Sequence, residues 1–434
     1  MRRTYLAIVV AGTILTNHAN ALDLIEALSA AQAHDSQFAS ARATREANSE
    51  KSIQGRAALL PAVTATAGKT LTDGTLVAAG VSNNFNTNTY NYQLLLRQPL
   101  YNAASFDTYE QSKLQVVVGE IQFEQAKNDL ALRVAQAYFD VLASQDAIAF
   151  IQSQKTAIAE QLASAKRNFE VGTATITDTH EAQARFDLTL AQEIAATNDL
   201  EVKRNALAQI TGKLPAELSG LKPGIKLTPP EPSNPDKWVE GAETGNIGVI
   251  VQKLVADIAK LEISRNRAGH MPTLDAVASH TRAPFGTTNT ITSNAIGLQL
   301  TVPIFSGYGT SSKIREAVSL ESKARSDLDT VRRNAAQTAR TAYLGLQSGL
   351  SQVRALEAAE VSSNSALESN RLGYEVGVRI NIDVLNAQQQ LYSTRCDLAK
   401  ARYDALVNGL KLKAATGALV DSDISQLNSL LDTR

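Results

Sequence analysis

The stretch Asn168-Phe169-Glu170-Val171-Gly172 returns 205 residues later as Gly373-Tyr374-Glu375-Val376-Gly377. The same offset aligns further pairs on both sides of it: Ala137-Tyr138 with Ala342-Tyr343, Asp178 with Asp383, Ala182-Gln183 with Ala387-Gln388, and Thr211-Gly212 with Thr416-Gly417. A single register over roughly 80 residues indicates an internal duplication. The sequence therefore predicts one protomer, residues 22–434, made of two tandem repeats at 22–214 and 240–419 and a tail at 420–434.

Proline placement indicates that each repeat contains a long helical hairpin. No proline occurs from Leu100 to Leu214 or from Ile304 to the end of the chain, and proline is the residue that most strongly breaks a helix. Each tract is interrupted once, at its Val-Gly pair. Apolar and small residues recur at heptad-like spacing, at Leu130, Val134, Ala137, Val141, Ser144 and Ile148. The first arm, about 103–169, would be on the order of 100 Å long.

The residues before each hairpin show the period-two pattern of β-strands instead. Tyr90, Tyr92, Leu94 and Leu96 alternate with Asn91, Gln93 and Arg97, and Ile296, Leu298, Leu300 and Val302 alternate with Gly297, Gln299 and Thr301. We predict strand regions at about 62–100 and 273–304, with partner strands near 62–71 and 273–281 and polar turns at 82–88 and 286–289. The pattern alone fits both a tilted membrane strand and a small soluble β-subdomain.

The first residues of the chain favour the membrane. Arg2 and Arg3 precede an apolar run, Tyr5 to Leu15, and Ala19-Asn20-Ala21 has the small-x-small pattern of a cleavage site. This is the pattern of a secretory signal peptide, residues 1–21, which leaves Leu22 as the first mature residue. An uncleaved anchor is the weaker alternative, because the run is too short to span a bilayer. No apolar stretch of 18 residues follows, so any crossing must use strands.

A proline-rich linker, 215–238, joins the two repeats. Pro223, Pro229, Pro230, Pro232 and Pro235 fall within thirteen residues, and this density excludes regular helix there. We expect the linker to cross the outside of the helical assembly.

Composition and motifs exclude several classes of function. A formal net charge of −1 argues against a nucleic-acid partner. His34, His180, His270 and His280 are scattered, and the chain has no HExxH, P-loop or Gly-x-Ser-x-Gly motif. We therefore predict no catalytic residues, no metal site and no cofactor. Cys396 is the single cysteine, so there is no disulfide framework, and it is expected to pack between helices.

Strand counting predicts an oligomer. Each chain supplies four strands, and an open sheet edge in lipid would leave backbone amides unpaired. Two chains would close a barrel of eight strands, whose interior side chains fill, whereas three would give twelve strands around a lumen. The predicted fold is thus mainly α with a β-barrel part. Four membrane strands per chain complete a 12-stranded barrel in a homotrimer surrounded by outer-membrane lipid, and the long hairpins form a periplasmic α-barrel.

Several stretches resemble a known family, the TolC-type outer-membrane efflux and type I secretion proteins. They are Asn168 to Gly172 with Ile176-Thr177-Asp178, Tyr374 to Gly377 with Arg379 and Asp383-Val384-Leu385, and the junctions Gln98 to Asn102 and Val302 to Gly307. The resemblance covers nearly the whole mature chain. It implies a trimeric outer-membrane channel that extends into the periplasm. A periplasmic adaptor and an inner-membrane pump, ABC-type or proton-driven, would deliver drugs, toxic compounds or secreted proteins to it.

The resemblance also implies a gate latch near the two hairpin bends. Tyr374 and Arg379 would bond to Asp178, with Thr177 also serving Arg379. A charge-assisted hydrogen bond of this kind contributes about 1.5–3 kcal/mol, which a docking partner could overcome. Helix capping is the alternative for this site, because Thr177 or Asp178 could cap the returning helix.

Two further sets of residues follow from the same resemblance. Asp383 would face the bore at its narrowest point as a ring of carboxylates that attracts cations. The family often has a second acidic ring one turn on, where this chain has Asn386, so we expect weaker cation selectivity. The hairpin tips would dock the adaptor: Val171, Gly172, Thr173, Val376, Gly377 and Val378. The bend alone explains their glycines.

A non-conducting periplasmic scaffold or adaptor is the rival class. Such a protein would bring an inner-membrane anchor or a lipid-anchor cysteine and one helical hairpin. This sequence predicts two hairpins and four strands, and Leu22 and Asp23 stand where the lipid-anchor cysteine would be. The cargo remains open between small molecules and proteins.

Overall fold

The structure is a computed structural model that describes residues 21–215, 217–285 and 289–432. The predicted signal peptide therefore lies outside the described residues except for Ala21, as does most of the predicted turn at 286–289. In chain order the elements are α1 (Leu24–His34), α2 (Ser36–Ala57), β1 (Ala62–Ala78), β2 (Val81–Tyr101), α3 (Ala103–Glu170), α4 (Ile176–Thr211), α5 (Pro235–Gly245), α6 (Ile247–Arg267), β3 (Thr273–Phe285), β4 (Asn289–Thr301), α7 (Gly309–Glu375), α8 (Asn381–Ala415) and α9 (Asp421–Ser429).

The order of elements occurs twice: two short helices, two strands and a helical hairpin. The starts of the short helices match closely between the copies. Asp23 and Asn234 accept hydrogen bonds as the N-caps of α1 and α5, and Asp35 and Asn246 do so for α2 and α6. Both pairs are 211 residues apart. The second repeat thus begins with α5 at Pro235, five residues before its predicted boundary at residue 240.

The long helices confirm the predicted hairpin arms. The helix α3 has 68 residues and α7 has 67, and each ends at its Val-Gly pair. Leu130, Val134 and Val141 of the predicted heptad stripe are fully buried. Around Tyr138 and Phe139, α3 packs with α1, α8 and α9 in a continuous core. None of the helices in the described parts of the chain is long and apolar enough to cross a membrane.

The four strands form one antiparallel sheet in the order β1-β2-β3-β4. In its register Leu96 pairs with Val63 and with Ala278, and Leu298 pairs with Ala276. Directly paired residues point to the same side of a sheet. One side therefore carries a band of apolar residues that we call the apolar belt: Val63, Ala65, Ala67, Tyr92, Leu94, Leu96, Leu274, Ala276, Ala278, Ile296, Leu298 and Leu300.

The predicted turn at 82–88 is wrong. These residues belong to β2, and the chain turns at Ala79 and Gly80, whose φ angles are 51° and 81°. Positive φ at both central residues is the geometry of a tight type I′ hairpin. The strands therefore extend well beyond the apolar belt.

The linker lies against both hairpins and is held by one tyrosine from each repeat. The Tyr138 hydroxyl donates to the carbonyl oxygens of Leu22 and Ser219, both at 2.9 Å. The equivalent hydroxyl of Tyr343 donates to the carbonyl of Ser233. The prediction that this segment contains no regular helix is wrong at its end, because α5 begins at Pro235. Proline is tolerated at the first helical position, where its missing N–H has no partner to lose.

A closely packed glycine leads to a prediction about stability. Gly417 has φ +71°, and a Cβ there would lie 2.0 Å from the carbonyl oxygen of Gly245. We expect Gly417→Ala to cost at least about 3 kcal/mol, from left-handed backbone strain and the backbone clash. In detergent, the apparent Tm of the purified protein should fall by about 5 °C or more.

Gly224→Ala is the matched control. Its φ is +75°, but a Cβ there would meet nothing within 4 Å. It should carry only the backbone strain, about 1 kcal/mol. Equal losses of Tm in the two variants would contradict the packing assigned to Gly417.

Candidate functional site

The two hairpin tips have the same backbone construction. The N–H of Gly172 donates to the carbonyl of Phe169 at 3.0 Å, and that of Thr173 donates to Asn168 at 2.8 Å. The second tip repeats both bonds around Gly377, whose φ of 79° matches the 78° of Gly172. This is the Schellman ending of a helix, in which glycine takes the left-handed position at least cost. It leaves Val171, Val376 and Val378 exposed at the end of the molecule.

Asp178 acts as part of a helix cap. The N-cap of α4 is Thr175, whose backbone N–H and hydroxyl donate to the Asp178 carboxylate at 2.9 and 2.8 Å. The Asp178 N–H donates back to the Thr175 hydroxyl at 3.3 Å. This reciprocal pair is a capping box. The N-cap is therefore Thr175, and neither Thr177 nor Asp178 takes that position; Thr177 is exposed.

The predicted partners of Asp178 have other contacts within the single chain. The Tyr374 hydroxyl accepts a hydrogen bond from the Asn168 amide at 3.3 Å. The guanidinium of Arg379 lies 3.7 Å from the carboxylate of Asp383. In the described residues of one chain, neither side chain is within hydrogen-bond distance of Asp178. A latch that uses Asp178 therefore stays a prediction.

Arg185 makes a contact between the hairpins that the sequence analysis missed. From α4 it donates to the side-chain oxygens of Gln389 and Asn386 on α8, at 2.6 and 2.8 Å. A guanidinium suits such a double contact because its N–H groups diverge in one plane. Asn386, at the position of the family's second acidic ring, thus has a cationic partner.

Asn381 makes a second contact between the two repeats of the chain that the sequence analysis missed. It is the first residue of α8 and is fully buried. Its amide donates to the backbone carbonyl of Asp178 at 3.3 Å, and its side-chain oxygen accepts from Gln161 on α3. Arg185 and Asn381 therefore join the second hairpin to the first through polar groups. We call these two sets of contacts, with the Asn168–Tyr374 bond, the tip links.

Midway along the helices, the two repeats of the chain are joined by buried aromatic packing instead. The Tyr403 hydroxyl donates to the Asp146 carboxylate at 2.6 Å, and its ring stacks on Phe139 with centroids 5.6 Å apart. Burial raises the pKa of Asp146, and burial beside that carboxylate raises the pKa of Tyr403. Tyr403 is buried, whereas the Arg185 contacts are exposed, so the contact at Tyr403 is costlier to separate than those of Arg185.

The described residues offer no site for chemistry on a bound metal. No group of three or more His, Cys, Asp or Glu within the described ranges is placed to hold an ion. Cys396 is half-buried, and burial raises the pKa of its thiol to about 11. A thiol with this pKa is almost fully protonated at neutral pH and is a weak nucleophile.

Comparisons with known proteins agree with this architecture. The sequence profile of the outer membrane efflux protein family matches residues 27–213 and 252–418. The chain is 31% identical to the outer membrane protein TolC of Vibrio cholerae, over 94% of this chain and 93% of that protein. It is 32% identical to the alkaline protease secretion protein AprF of Pseudomonas aeruginosa, over 95% of this chain and 88% of that protein.

A solved structure supports the fold independently. The Campylobacter jejuni CmeC outer membrane channel superposes with a TM-score of 0.79 at 17% identity, covering 94% of this chain and 90% of that chain. This likeness confirms the predicted fold class.

Proposed function

Because this chain belongs to the outer membrane efflux protein family, we propose that it is the outer-membrane exit duct of a tripartite export system. The protein is located in the outer membrane and extends into the periplasm. In the proposed assembly three copies form one duct. A periplasmic adaptor docks at the hairpin tips, and an inner-membrane pump, ABC-type or proton-driven, supplies the cargo. The duct itself catalyses no reaction.

The apolar belt is the observation that carries this proposal. Its side chains point away from the protein: Leu298 is 71% exposed and Leu300 is 65% exposed. The opposite side of the sheet carries polar groups, including the 2.7 Å ion pair between Arg97 and Asp275. A sheet with one apolar and one polar side suits a wall between lipid and an aqueous lumen.

The edges of the sheet support a ring of several copies. The strands β1 and β4 are its outer strands, and each has one neighbour within the chain. Unpaired backbone groups are costly in lipid, so these edges must pair with other strands. Joining β4 of one copy to β1 of the next closes the sheet, and three copies supply the twelve strands that leave an open lumen.

The tip links support a gate at the periplasmic end. Exposed polar contacts such as those of Arg185 are individually weak, whereas the buried contact at Tyr403 is strong. The tips can therefore separate while the middle of each hairpin stays packed. We propose that adaptor docking at Val171, Gly172, Thr173, Val376, Gly377 and Val378 breaks the tip links, and that Tyr374 and Arg379 latch onto Asp178 with Thr177 between neighbouring copies.

Asn386 leads to a prediction about ion block. We place Asp383 at the bore, but its charge is offset by Arg379 at 3.7 Å, and Asn386 is bound by Arg185. We expect weak block by a trivalent cation such as hexamminecobalt. Asn386→Asp should tighten this block by about tenfold when combined with Arg185→Ala, and by less alone, because Arg185 would neutralise the new carboxylate. Equal affinity in the wild type and the double variant would contradict this placement.

Export complementation tests the proposed function. The gene would be expressed in a Gram-negative strain that lacks its own export duct but keeps its pumps and adaptors, and the strain would be scored for drug tolerance and for a type I secreted protein. The proposal predicts recovery of at least one activity. Outer-membrane oligomers without either activity, when co-expressed with several adaptor–pump pairs, would favour the scaffold class. The restored activity would identify the cargo class.

A further inference from the structure

We propose that a Lys51–Glu316 ion pair, which the internal interface lacks, holds each seam between neighbouring copies that meet as the two halves of one chain do. This inference rests on the proposed ring of copies and goes beyond it by naming the strand register and the residues in contact. The partner is a second copy of this chain.

The structure gives the correspondence between the two halves. In the short helices the N-caps match at an offset of 211, and β1 and β3 begin at Ala62 and Thr273 with the same offset. In the long helices buried positions match at an offset of 205, for example Ser112 with Ala317 and Tyr138 with Tyr343. The second strands match at an offset of 204, since Arg97 pairs with Ala62 just as Thr301 pairs with Thr273.

The internal interface provides the template. In it β2 pairs with β3, placing Leu96 beside Ala278. Below the sheet the Tyr101 hydroxyl lies 3.8 Å from the Met271 sulfur. Further down, the amide of Gln111 on α3 donates to Glu262 on α6 at 3.0 Å.

The offsets convert each internal contact into a contact between copies. Leu96 beside Ala278 becomes Leu300 beside Ala67 of the next copy. Tyr101 against Met271 becomes Phe305 against Leu60. Gln111 to Glu262 becomes Glu316 to Lys51. The last conversion exchanges an amide–carboxylate hydrogen bond for a pair of opposite charges, although the offsets were set without reference to charge.

Exposure shows that these surfaces lack a neighbour in the single chain. Ile304 is 95% exposed, whereas its counterpart Leu100, at the internal interface, is 50% exposed. Phe305 is 76% exposed and its counterpart Tyr101 is 44% exposed. Within the described residues α3 packs on α6 and α8, whereas α7 has no comparable packing on α2 or α4. A second copy in the template position would cover these groups.

Cysteine cross-linking tests the register. In a Cys396→Ala background, the pair Leu300→Cys and Ala67→Cys should form a disulfide between copies on mild oxidation and give covalent dimers and trimers. Within one chain the two positions lie on opposite edges of the sheet, three strand spacings and so at least about 14 Å apart, too far for an internal bond. The control, Leu300→Cys with Val63→Cys, shifts the register by four residues, about 13 Å, and should not cross-link.

Charge exchange tests the seam. Lys51→Glu and Glu316→Lys should each speed dissociation of the oligomer in detergent by about two- to fivefold, and the double variant should restore the wild-type rate. Both effects should shrink in high salt. Two single variants without effect, or a double variant no better than either single, would overturn the proposed ion pair.

The outcomes separate this inference from the proposed function. Cross-linking of the control pair in place of the predicted pair, in an oligomer that still conducts ions, overturns the register and leaves the duct. An oligomer that neither conducts ions nor exports cargo overturns the duct, even if the predicted pair cross-links.

Discussion

Leu298→Arg is expected to abolish assembly of the protein in the outer membrane. Leu298 lies in the centre of the apolar belt and is 71% exposed. An arginine facing lipid at the middle of a membrane costs about 2–4 kcal/mol, so three copies would cost roughly 6–12 kcal/mol per ring. The amount of heat-modifiable oligomer in outer-membrane fractions should fall at least tenfold, as measured by gel electrophoresis without boiling.

Gln299→Arg is the matched control for this prediction. It adds the same side chain to the neighbouring residue, which points to the other side of β4. An arginine facing a water-filled lumen has little effect on insertion. Oligomer levels should stay within about twofold of the wild type. Loss of assembly in both variants, or in neither, would contradict the assignment of the apolar belt to lipid.

Arg185→Ala is expected to raise the open probability of the duct about tenfold or more. The substitution removes two charge-assisted hydrogen bonds between α4 and α8, at 2.6 and 2.8 Å. Discounted for exposure, their loss amounts to about 1 kcal/mol in each of three copies, and a shift of 1.4 kcal/mol changes a population tenfold. Single-channel recording in planar bilayers would measure the change, and Arg185→Lys should recover part of the closed state.

Arg204→Ala is the control for a general loss of positive charge on the same helix. Arg204 lies on α4 and pairs with Glu201 in its own helix, at 3.4 Å. Its removal breaks no contact between hairpins, so open probability should match that of the wild type. An equal rise in both variants would assign the effect of Arg185 to electrostatics of the bore and not to a tip link.

The periodicity of the sequence predicts the long elements well because their physics is local. Heptad spacing and the absence of proline predict α3 to within one residue of its ends, and α7 ends at the predicted Val-Gly pair. The prediction of a turn at 82–88 is wrong for a physical reason. Asn and Thr favour turns, but here they lie in strands that extend past the apolar belt, where polar and apolar residues are mixed on both sides of the sheet. The real turn at Ala79 and Gly80 lacks the Asn-Gly signature of such hairpins.

The candidate site was harder to predict because its contacts join distant parts of the chain. Arg185 and Asn386 are 201 residues apart in sequence. A lone arginine or asparagine on a helix gives no sign of a partner so far away in the sequence, and the contacts of Arg185 and Asn381 were missed for this reason. For Asp178 the structure shows a capping role within the chain. Its latch role stays a prediction.

Ion conduction by the purified wild-type oligomer tests the central claim most directly. The oligomer would be extracted from outer membranes and added to a planar bilayer, alongside a variant that combines Arg185→Ala with Arg379→Ser and Tyr374→Phe. We predict small, discrete current steps for the wild type and clearly larger or longer openings for the variant. Folded oligomers that insert into the bilayer but carry no current in either form would contradict the account and indicate a scaffold.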